Sequence, residues 1–209
     1  MPKGSPELTA ARKEEIINSC EQLYQTMSFK DITLKEIGNV TSFTRTSIYN
    51  YFQTKEEIFL ALYEREYDRW NEDLTLILNE NDRLSNEELA DKIAKSLGNR
   101  SQLLKLLSMN NFDMEANSRP EPLVTFKKAY GDSMENMKKL LGKFRPDMGT
   151  PEKQNFIYVF FPFMFGIYPY TAVTEKQKYA MKEAGVDYVY QTIYEITYAC
   201  LIRLLGANK

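Results

Sequence analysis

Residues 33–55 read TLKEIGNVTSFTRTSIYNYFQTK, and they carry the most informative pattern in the chain. It opens with Thr-Leu-Lys-Glu at 33–36, and Thr-Lys-Glu-Glu follows at 54–57. A threonine three residues before a glutamate is a capping box, in which the two side chains satisfy backbone N–H groups at the start of a helix. The sequence therefore predicts a short helix that ends near Val40 and a long helix that runs from residue 54 to about Leu78.

Between these two helices, residues 44–50 predict a second short helix, which Ile48 anchors to a core. Two short helices joined by a tight turn form a helix-turn-helix, whose second helix enters the DNA major groove, about 12 Å wide. Arg45 is the residue of this helix that can make two hydrogen bonds to guanine, and Asn50 is suited to adenine. The side chains that we expect to read base edges are Arg45, Thr46, Ser47 and Asn50.

Helical patterns continue to the C-terminus. Apolar residues recur every three or four positions in further segments, at about 9–27, 85–98, 101–110, 121–142, 151–170, 175–184 and 187–205. No alternating strand pattern, internal repeat or low-complexity segment stands out. The predicted fold class is all-α.

The composition narrows the possible functions. The chain has no histidine, which excludes His-ligated metal sites and Ser-His-Asp triads, and we predict neither a metal nor a cofactor. Its two cysteines, Cys20 and Cys200, lie far apart, and no apolar leader follows the start, so a reducing cytoplasm is expected. The net charge is −2, and residues 1–60 hold seven basic and eight acidic residues. Charge alone therefore does not identify a DNA-binding protein.

The run from Ile37 to Phe52 and the Thr-Lys-Glu-Glu start at 54–57 resemble the TetR family of bacterial one-component repressors. Tyr49, Phe52 and Lys55 match the family pattern in register, and the match spans roughly residues 10–60. The turn departs from the pattern, because Ser42 and Thr41 stand where the family usually has glycine and a smaller residue. A positive φ at Ser42 would therefore be costly.

The resemblance implies a domain order and further contacts with DNA. A DNA-binding domain is expected at 1–53 and a helical ligand-binding and dimerisation domain at 54–209, connected by the helix from Thr54. Thr33 and Lys55 would lie beside phosphates at two helix N-termini, where N–H groups and the helix dipole favour anions. Tyr49 would donate to a phosphate, and Phe52 would pack in the small core. The expected DNA-binding set is Thr33, Thr44, Arg45, Thr46, Ser47, Tyr49, Asn50 and Lys55.

Residues 156–173 form an aromatic stretch that is nearly long enough to span a membrane. Two prolines and a glycine interrupt it, so we predict a buried helix, kinked near Pro162, and no membrane contact. Either these aromatic residues fill the core and a dimer face, or they line an apolar ligand pocket. The pocket would contain Phe112, Met114, Tyr130, Phe160, Phe163, Met164 and Tyr168.

The resemblance also implies a homodimer in which the last two long helices of each copy pair as a four-helix interface. The expected interface residues are Phe161, Val189, Ile193, Ile196, Cys200 and Leu204. We therefore predict a repressor, not an enzyme, that binds a palindromic double-stranded operator and is released by a small apolar or aromatic ligand. The alternatives are a DNA-binding dimer that needs no ligand and an all-α enzyme that uses Lys or Tyr chemistry in the aromatic pocket.

Overall fold

The computed structural model describes residues 5–109 and 111–206, and the regular elements within these ranges are all α-helices. This confirms the predicted all-α fold class. In chain order the helices are α1 (Pro6–Thr26), α2 (Leu34–Val40), α3 (Arg45–Ile48), α4 (Lys55–Glu80), α5 (Asn86–Gly98), α6 (Ser101–Leu107), α7 (Asn111–Ala116), α8 (Pro120–Phe144), α9 (Thr150–Thr171), α10 (Glu175–Glu183) and α11 (Ile193–Gly206).

The chain divides into two compact units, and the first contains the described residues 5–65 and 111–129. Its core is an aromatic and aliphatic cluster to which α1, α2, α3 and the start of α4 all contribute. Phe59 lies at its centre, with the rings of Tyr24 and Phe29 packed edge-on at centroid distances of 5.2 and 4.8 Å. Other buried members are Ile16, Cys20, Ile37, Ile48, Phe52 and Tyr63.

The second unit contains the described residues 66–109 and 130–206. In it α5 packs along α11, and both α6 and α11 pack against α9. Trp70 is fully buried, donates its indole N–H to Ser96 at 3.1 Å and contacts the ring of Phe161. These contacts give the second unit a hydrophobic core of its own.

The last helix begins later than the sequence pattern predicted. Residues 187–192 are not helical, and α11 starts at Ile193. Thr192 and Glu195 cause this start, because the Glu195 N–H donates to the Thr192 hydroxyl at 3.2 Å while the Thr192 N–H donates to the Glu195 carboxylate at 2.7 Å. This is a capping box that the periodicity argument overlooked. Helix α7 was not predicted at all.

Within residues 5–109 and 111–206, no single helix is long and apolar enough to cross a membrane. Helices α9 and α10 reach the required length and hydropathy only together, and the chain bends by 86° between them.

Candidate functional site

Helix α3 presents a polar surface on an apolar anchor. Ile48 is completely buried in the first unit and holds the helix against its core. The residues around it that were expected to contact DNA lie on this one turn and its flanks. The exposed ones are Thr44, Arg45, Thr46, Tyr49 and Asn50, and Ser47 is half-buried.

Arg45 and Tyr49 contact each other on the exposed side of α3. An Nη2 hydrogen of Arg45 is donated to the Tyr49 hydroxyl at 3.1 Å. The guanidinium carbon lies 5.8 Å from the centre of the Tyr49 ring, within the range of a cation–π contact. The two residues are four apart, the spacing that places side chains side by side on a helix.

Gly38 lets α2 and α3 approach each other closely. A Cβ atom at residue 38 would lie 3.2 Å from the Cα atom of Arg45 and 3.3 Å from its Cβ atom. Contacts this short are tighter than ordinary carbon–carbon packing. Gly38 therefore fixes the distance of α3 from α2, a role that sequence reasoning missed although a glycine inside a helix often has a packing reason.

Side-chain hydrogen bonds hold the turn between α2 and α3. The Ser42 hydroxyl donates to the Glu15 carboxylate at 3.0 Å, and its backbone N–H donates to the same carboxylate. The Thr41 hydroxyl donates to the Phe43 carbonyl oxygen at 2.9 Å. No described non-glycine residue has a positive φ, so Ser42 fits this turn without left-handed strain.

Thr33 caps α2 as predicted. Its hydroxyl oxygen accepts the backbone N–H of Lys35 at 3.2 Å and that of Glu36 at 3.3 Å. The Glu36 carboxylate hydrogen-bonds to the Thr33 hydroxyl itself, where a capping box would have it reach the backbone N–H. Thr33 and Lys35 are both exposed at this helix start.

Arg12 of α1 contacts the residues that come before and after α3 in the sequence. Its guanidinium donates to the Tyr51 hydroxyl at 3.2 Å and lies 6.0 Å from the centre of the Phe43 ring. These partners lie on either side of α3. Sequence reasoning missed Arg12, because nothing in the periodicity of α1 indicates a partner 39 residues away.

Lys55, which was expected beside a phosphate, hydrogen-bonds within the first unit. Its ammonium donates to the carbonyl oxygens of Phe29 and Ile32 at 2.7 and 3.0 Å. The same nitrogen lies 4.2 Å from the centre of the Phe29 ring. An ammonium has three N–H donors, so these two bonds leave one for another acceptor.

Glu57 joins the start of α4 to the start of α8 within the first unit. Its side chain is completely buried, and it accepts from Nε and Nη2 of Arg119 at 2.6 and 2.8 Å and from the Gln53 N–H at 2.8 Å. Burial raises the pKa of the Glu57 carboxyl, but the hydrogen bonds from Arg119 and Gln53 together lower it by more than burial raises it. The pKa therefore lies below its ordinary value. Thr54 adds a bond to the carbonyl oxygen of Asn117 at 2.9 Å.

Arg65 links α4 to α1. Its Nη1 donates to Glu14 at 2.7 Å and to Asn18 at 2.5 Å, and its Nη2 donates to Glu21 at 2.6 Å. Only 14% of the Arg65 side chain is exposed. One arginine therefore holds three positions on α1, the helix that also braces the turn before α3.

The expected pocket residues fall into both units. In the second unit, Phe160 and Met164 are fully buried, and Phe163 stacks on Phe160 at a centroid distance of 6.3 Å. Tyr130 and Tyr168 are half-buried. Phe112 and Met114 belong to the first unit, where Phe112 is 82% exposed and Met114 is buried.

Two apolar cavities lie at the C-terminal end of α9 in the second unit. The larger, of 430 Å³, extends to α10 and the segment after it and is lined mainly by Pro169, Tyr170, Val173, Ala180, Met181 and Tyr188. The smaller, of 290 Å³, is lined by Phe163, Gly166, Ile167, Tyr170 and Ile196. Phe163 is the one expected pocket residue in these two linings.

The expected interface residues differ in exposure. Ile193, Ile196, Cys200 and Leu204 are half-exposed along α11. Val189 lies in the segment before α11 and is 76% exposed. Phe161 is buried against Trp70, Phe160 and Tyr130, so it fills the core of the second unit and does not lie on a surface.

Comparison with protein families gives one match over more than half of the chain. Residues 64–194 match the family described as Tetracyclin repressor-like, C-terminal domain. The chain matches no curated protein sequence.

Solved structures with the same fold include several transcriptional regulators. The fatty acid degradation regulator FadR from Bacillus halodurans is 16% identical, with 100% of this chain and 99% of that chain covered and a TM-score of 0.55. FadR from Bacillus subtilis, in complex with stearoyl-CoA, is 12% identical, with coverages of 94% and 99% and a TM-score of 0.60. FadR from Thermus thermophilus, in complex with lauroyl-CoA, is 15% identical, with coverages of 95% and 95% and a TM-score of 0.59.

Proposed function

The chain belongs to the TetR family of DNA-binding transcriptional regulators, and on that premise we propose that it is a homodimeric repressor of the bacterial cytoplasm. It binds a palindromic operator through α3 of each protomer and is released by an apolar ligand. The observation that carries this proposal is the single buried anchor of α3, Ile48, beneath an exposed set of hydrogen-bonding side chains.

The contacts with DNA divide between bases and phosphates. Arg45, Thr46, Ser47 and Asn50 would read base edges in the major groove. Thr33 and Thr44, the residues that precede α2 and α3, would contact phosphates, as would Tyr49 and the third N–H of Lys55. Because one protomer supplies few cations, two copies on adjacent half-sites, about 34–36 Å apart, are needed for tight binding.

The dimer would form through the last two long helices. The half-exposed apolar residues Ile193, Ile196, Cys200 and Leu204 of α11 support this surface, and the exposed Val189 extends it. Phe161 is not proposed as an interface residue, because its ring is buried within the protomer.

The ligand would be held by aromatic and apolar residues of the second unit, with Phe160, Phe163, Met164, Tyr168 and Tyr130 as the proposed contacts. Among these, Phe163 lines the smaller cavity and supports the proposal. Two of the structurally similar regulators hold acyl-CoA molecules, which makes long-chain acyl thioesters the first class of apolar ligand to test. A ligand changes operator affinity only by its preference for one of two protein states.

The experiment is fluorescence-anisotropy binding to the DNA that flanks the gene, across a range of salt concentrations. We expect specific, salt-sensitive binding that Arg45→Ala weakens at least about tenfold, while Arg83→Ala, at an exposed arginine of the second unit, changes little. Stearoyl-CoA or a planar aromatic compound would then be added to the complex. Release by either supports a ligand-responsive repressor, and release by neither favours the ligand-independent dimer.

A further inference from the structure

We propose that Tyr49 is a positioning residue for Arg45, so that these two side chains act as one unit in reading a guanine of the operator. The inference rests on the proposed function, because it concerns how that same surface recognises DNA. Its basis is the hydrogen bond from Arg45 Nη2 to the Tyr49 hydroxyl, at 3.1 Å, together with the guanidinium carbon 5.8 Å from the ring centre.

The helical backbone of α3 brings the side chains of Arg45 and Tyr49 next to each other. Arg45 is the first residue of α3 and Tyr49 follows its last residue, with helical φ and ψ of −61° and −14°. The two side chains therefore share one face of the helix. Tyr49 is 47% exposed and Arg45 is exposed, so the pair stands on the outer surface of α3.

The contact removes a cost that a free arginine would meet on binding. An exposed arginine side chain samples many rotamers, and fixing them opposes binding by about 2 kcal/mol. The cation–π contact with the phenol ring and one hydrogen bond restrict the guanidinium before DNA arrives. Tyr49 therefore makes the Arg45 contact with a base stronger than the same arginine would make alone.

The hydrogen-bond donors allow both side chains to contact DNA at once. A guanidinium has five N–H donors, and Tyr49 accepts one of them from Nη2. The remaining donors are sufficient for the two acceptors of guanine, O6 and N7. The tyrosine hydroxyl accepts from Arg45 and still has its own hydrogen to donate to a phosphate oxygen. Base reading by Arg45 is thereby coupled to phosphate binding by Tyr49.

The test is a double-mutant cycle on the operator that the wild-type protein selects from random DNA. Tyr49→Phe removes only the hydroxyl, Arg45→Ala removes the guanidinium, and the third variant carries both changes. Affinity is measured for the selected operator and for operators with each guanine pair replaced by an adenine pair. Tyr179→Phe, at a tyrosine of α10 that is 67% exposed, is the matched control.

We expect wild type to prefer guanine at one half-site position by about tenfold or more. Tyr49→Phe reduces this preference at least about threefold at that position alone, and adding it to Arg45→Ala changes the preference no further. Tyr179→Phe has no effect. In the free protein, NMR relaxation of the Arg45 Nε–H group shows a restricted side chain that becomes mobile in Tyr49→Phe.

Equal loss of affinity for all operators in Tyr49→Phe would overturn the proposal, because Tyr49 would then be an independent phosphate contact. An unchanged guanine preference in Arg45→Ala would overturn it as well and leave the regulator itself intact. Wild-type protein that selects no sequence would overturn the proposed function, which separates that failure from the other two.

Discussion

Gly38 illustrates how a single hydrogen atom can set the position of a recognition helix. Its Cα lies so near the start of α3 that an added Cβ would press on backbone atoms of Arg45 at 3.2–3.3 Å. Backbone atoms cannot rotate away as a flexible side chain can. The position of α3 thus depends on the absence of a Cβ atom at residue 38. A change in operator affinity is a more sensitive test of this than a change in the free energy of unfolding.

Gly38→Ala should weaken operator binding while stability changes little. The added methyl group displaces α3, and we expect operator affinity to fall about tenfold, since misplaced side chains lose base contacts of about 1–3 kcal/mol. Alanine favours a helix over glycine by about 1 kcal/mol, which offsets the strain. Binding and urea titrations measure the two effects. Gly131→Ala in α8 is the control, because nothing lies within 4 Å of its added Cβ, and it should only stabilise. Full affinity in Gly38→Ala would show that α3 can shift without consequence.

Lys55→Met separates the internal hydrogen bonds of this lysine from its proposed phosphate contact. Methionine keeps the apolar stem but removes the bonds to the carbonyl oxygens of Phe29 and Ile32, so unfolding should cost about 1–3 kcal/mol less. The slope of log affinity against log salt should also fall by about 1, as for the loss of one phosphate contact. Lys139→Met, at an exposed lysine of α8, should change neither quantity. An unchanged slope together with reduced stability would leave Lys55 as an internal tether only.

Glu57 should make stability depend on pH in the acidic range. Its pKa in the folded protein is below the ordinary 4.5, so its stabilising effect is complete above that value and is lost as pH falls through the folded pKa. At about pH 6, Glu57→Gln should reduce the free energy of unfolding by about 2 kcal/mol. This is less than the 3–5 kcal/mol of a fully buried pair, because 42% of the Arg119 side chain is exposed.

Urea denaturation of wild type and Glu57→Gln at about pH 6 and about pH 3 measures this dependence. The difference between the two proteins should shrink at the lower pH, because there the unfolded chain binds a proton at residue 57 that the folded carboxylate, with its lowered pKa, resists. A difference that is constant with pH would mean that the carboxylate charge contributes nothing and that only the shape of the side chain is needed.

Among the helices, a start marked by a capping residue was easier to predict than the elements that pack against that helix. The capping threonine of α2 is local in sequence, and the capping box before α11 could have been found by the same search. The periodic apolar pattern extended that last helix too far, because Val189 continues the spacing although its side chain is exposed. A cap sets the start of a helix where hydrophobic spacing alone does not.

Arg65 is the main polar link between α1 and α4, and its loss should loosen α1. Arg65→Met leaves Glu14 and Glu21 without this partner, and we expect the free energy of unfolding to fall by about 2 kcal/mol. Operator affinity should fall with it, because α1 supports the turn before α3. Lys95→Met is the control: it removes a surface pair within α5 and should cost less than about 0.5 kcal/mol. A stability loss no greater than that of the control would mean that apolar packing alone joins α1 to α4.

At the scale of the whole molecule, the sequence predicts what is local and misses what is distant. The helix-turn-helix, the anchor Ile48 and the all-α class follow from patterns within a few residues. The ion pair of Glu57 with Arg119 joins residues 62 apart in sequence, and no short pattern links them. The same distance in sequence explains why Lys55 was expected only beside DNA, since its carbonyl partners lie more than 20 residues upstream.

The dimer is the largest assembly that the proposed function requires, and Ile196 is the residue at which to break it. Its side chain is half-exposed on α11 and lines the smaller apolar cavity with residues of α9, so a glutamate there would place a charge in the proposed interface. Ile196→Glu should sediment as a monomer, and operator affinity should fall at least about a hundredfold, because only one half-site is then bound.

Leu76→Glu is the matched control, since Leu76 is also an exposed apolar residue, at 52%, but lies on α4. It should remain dimeric and bind the operator normally. If Ile196→Glu stays dimeric and binds as well as wild type, the two copies do not meet through this face of α11. If it stays dimeric but loses the operator, the change has altered the spacing of the two α3 helices rather than the association, since groove recognition requires half-sites about 34–36 Å apart.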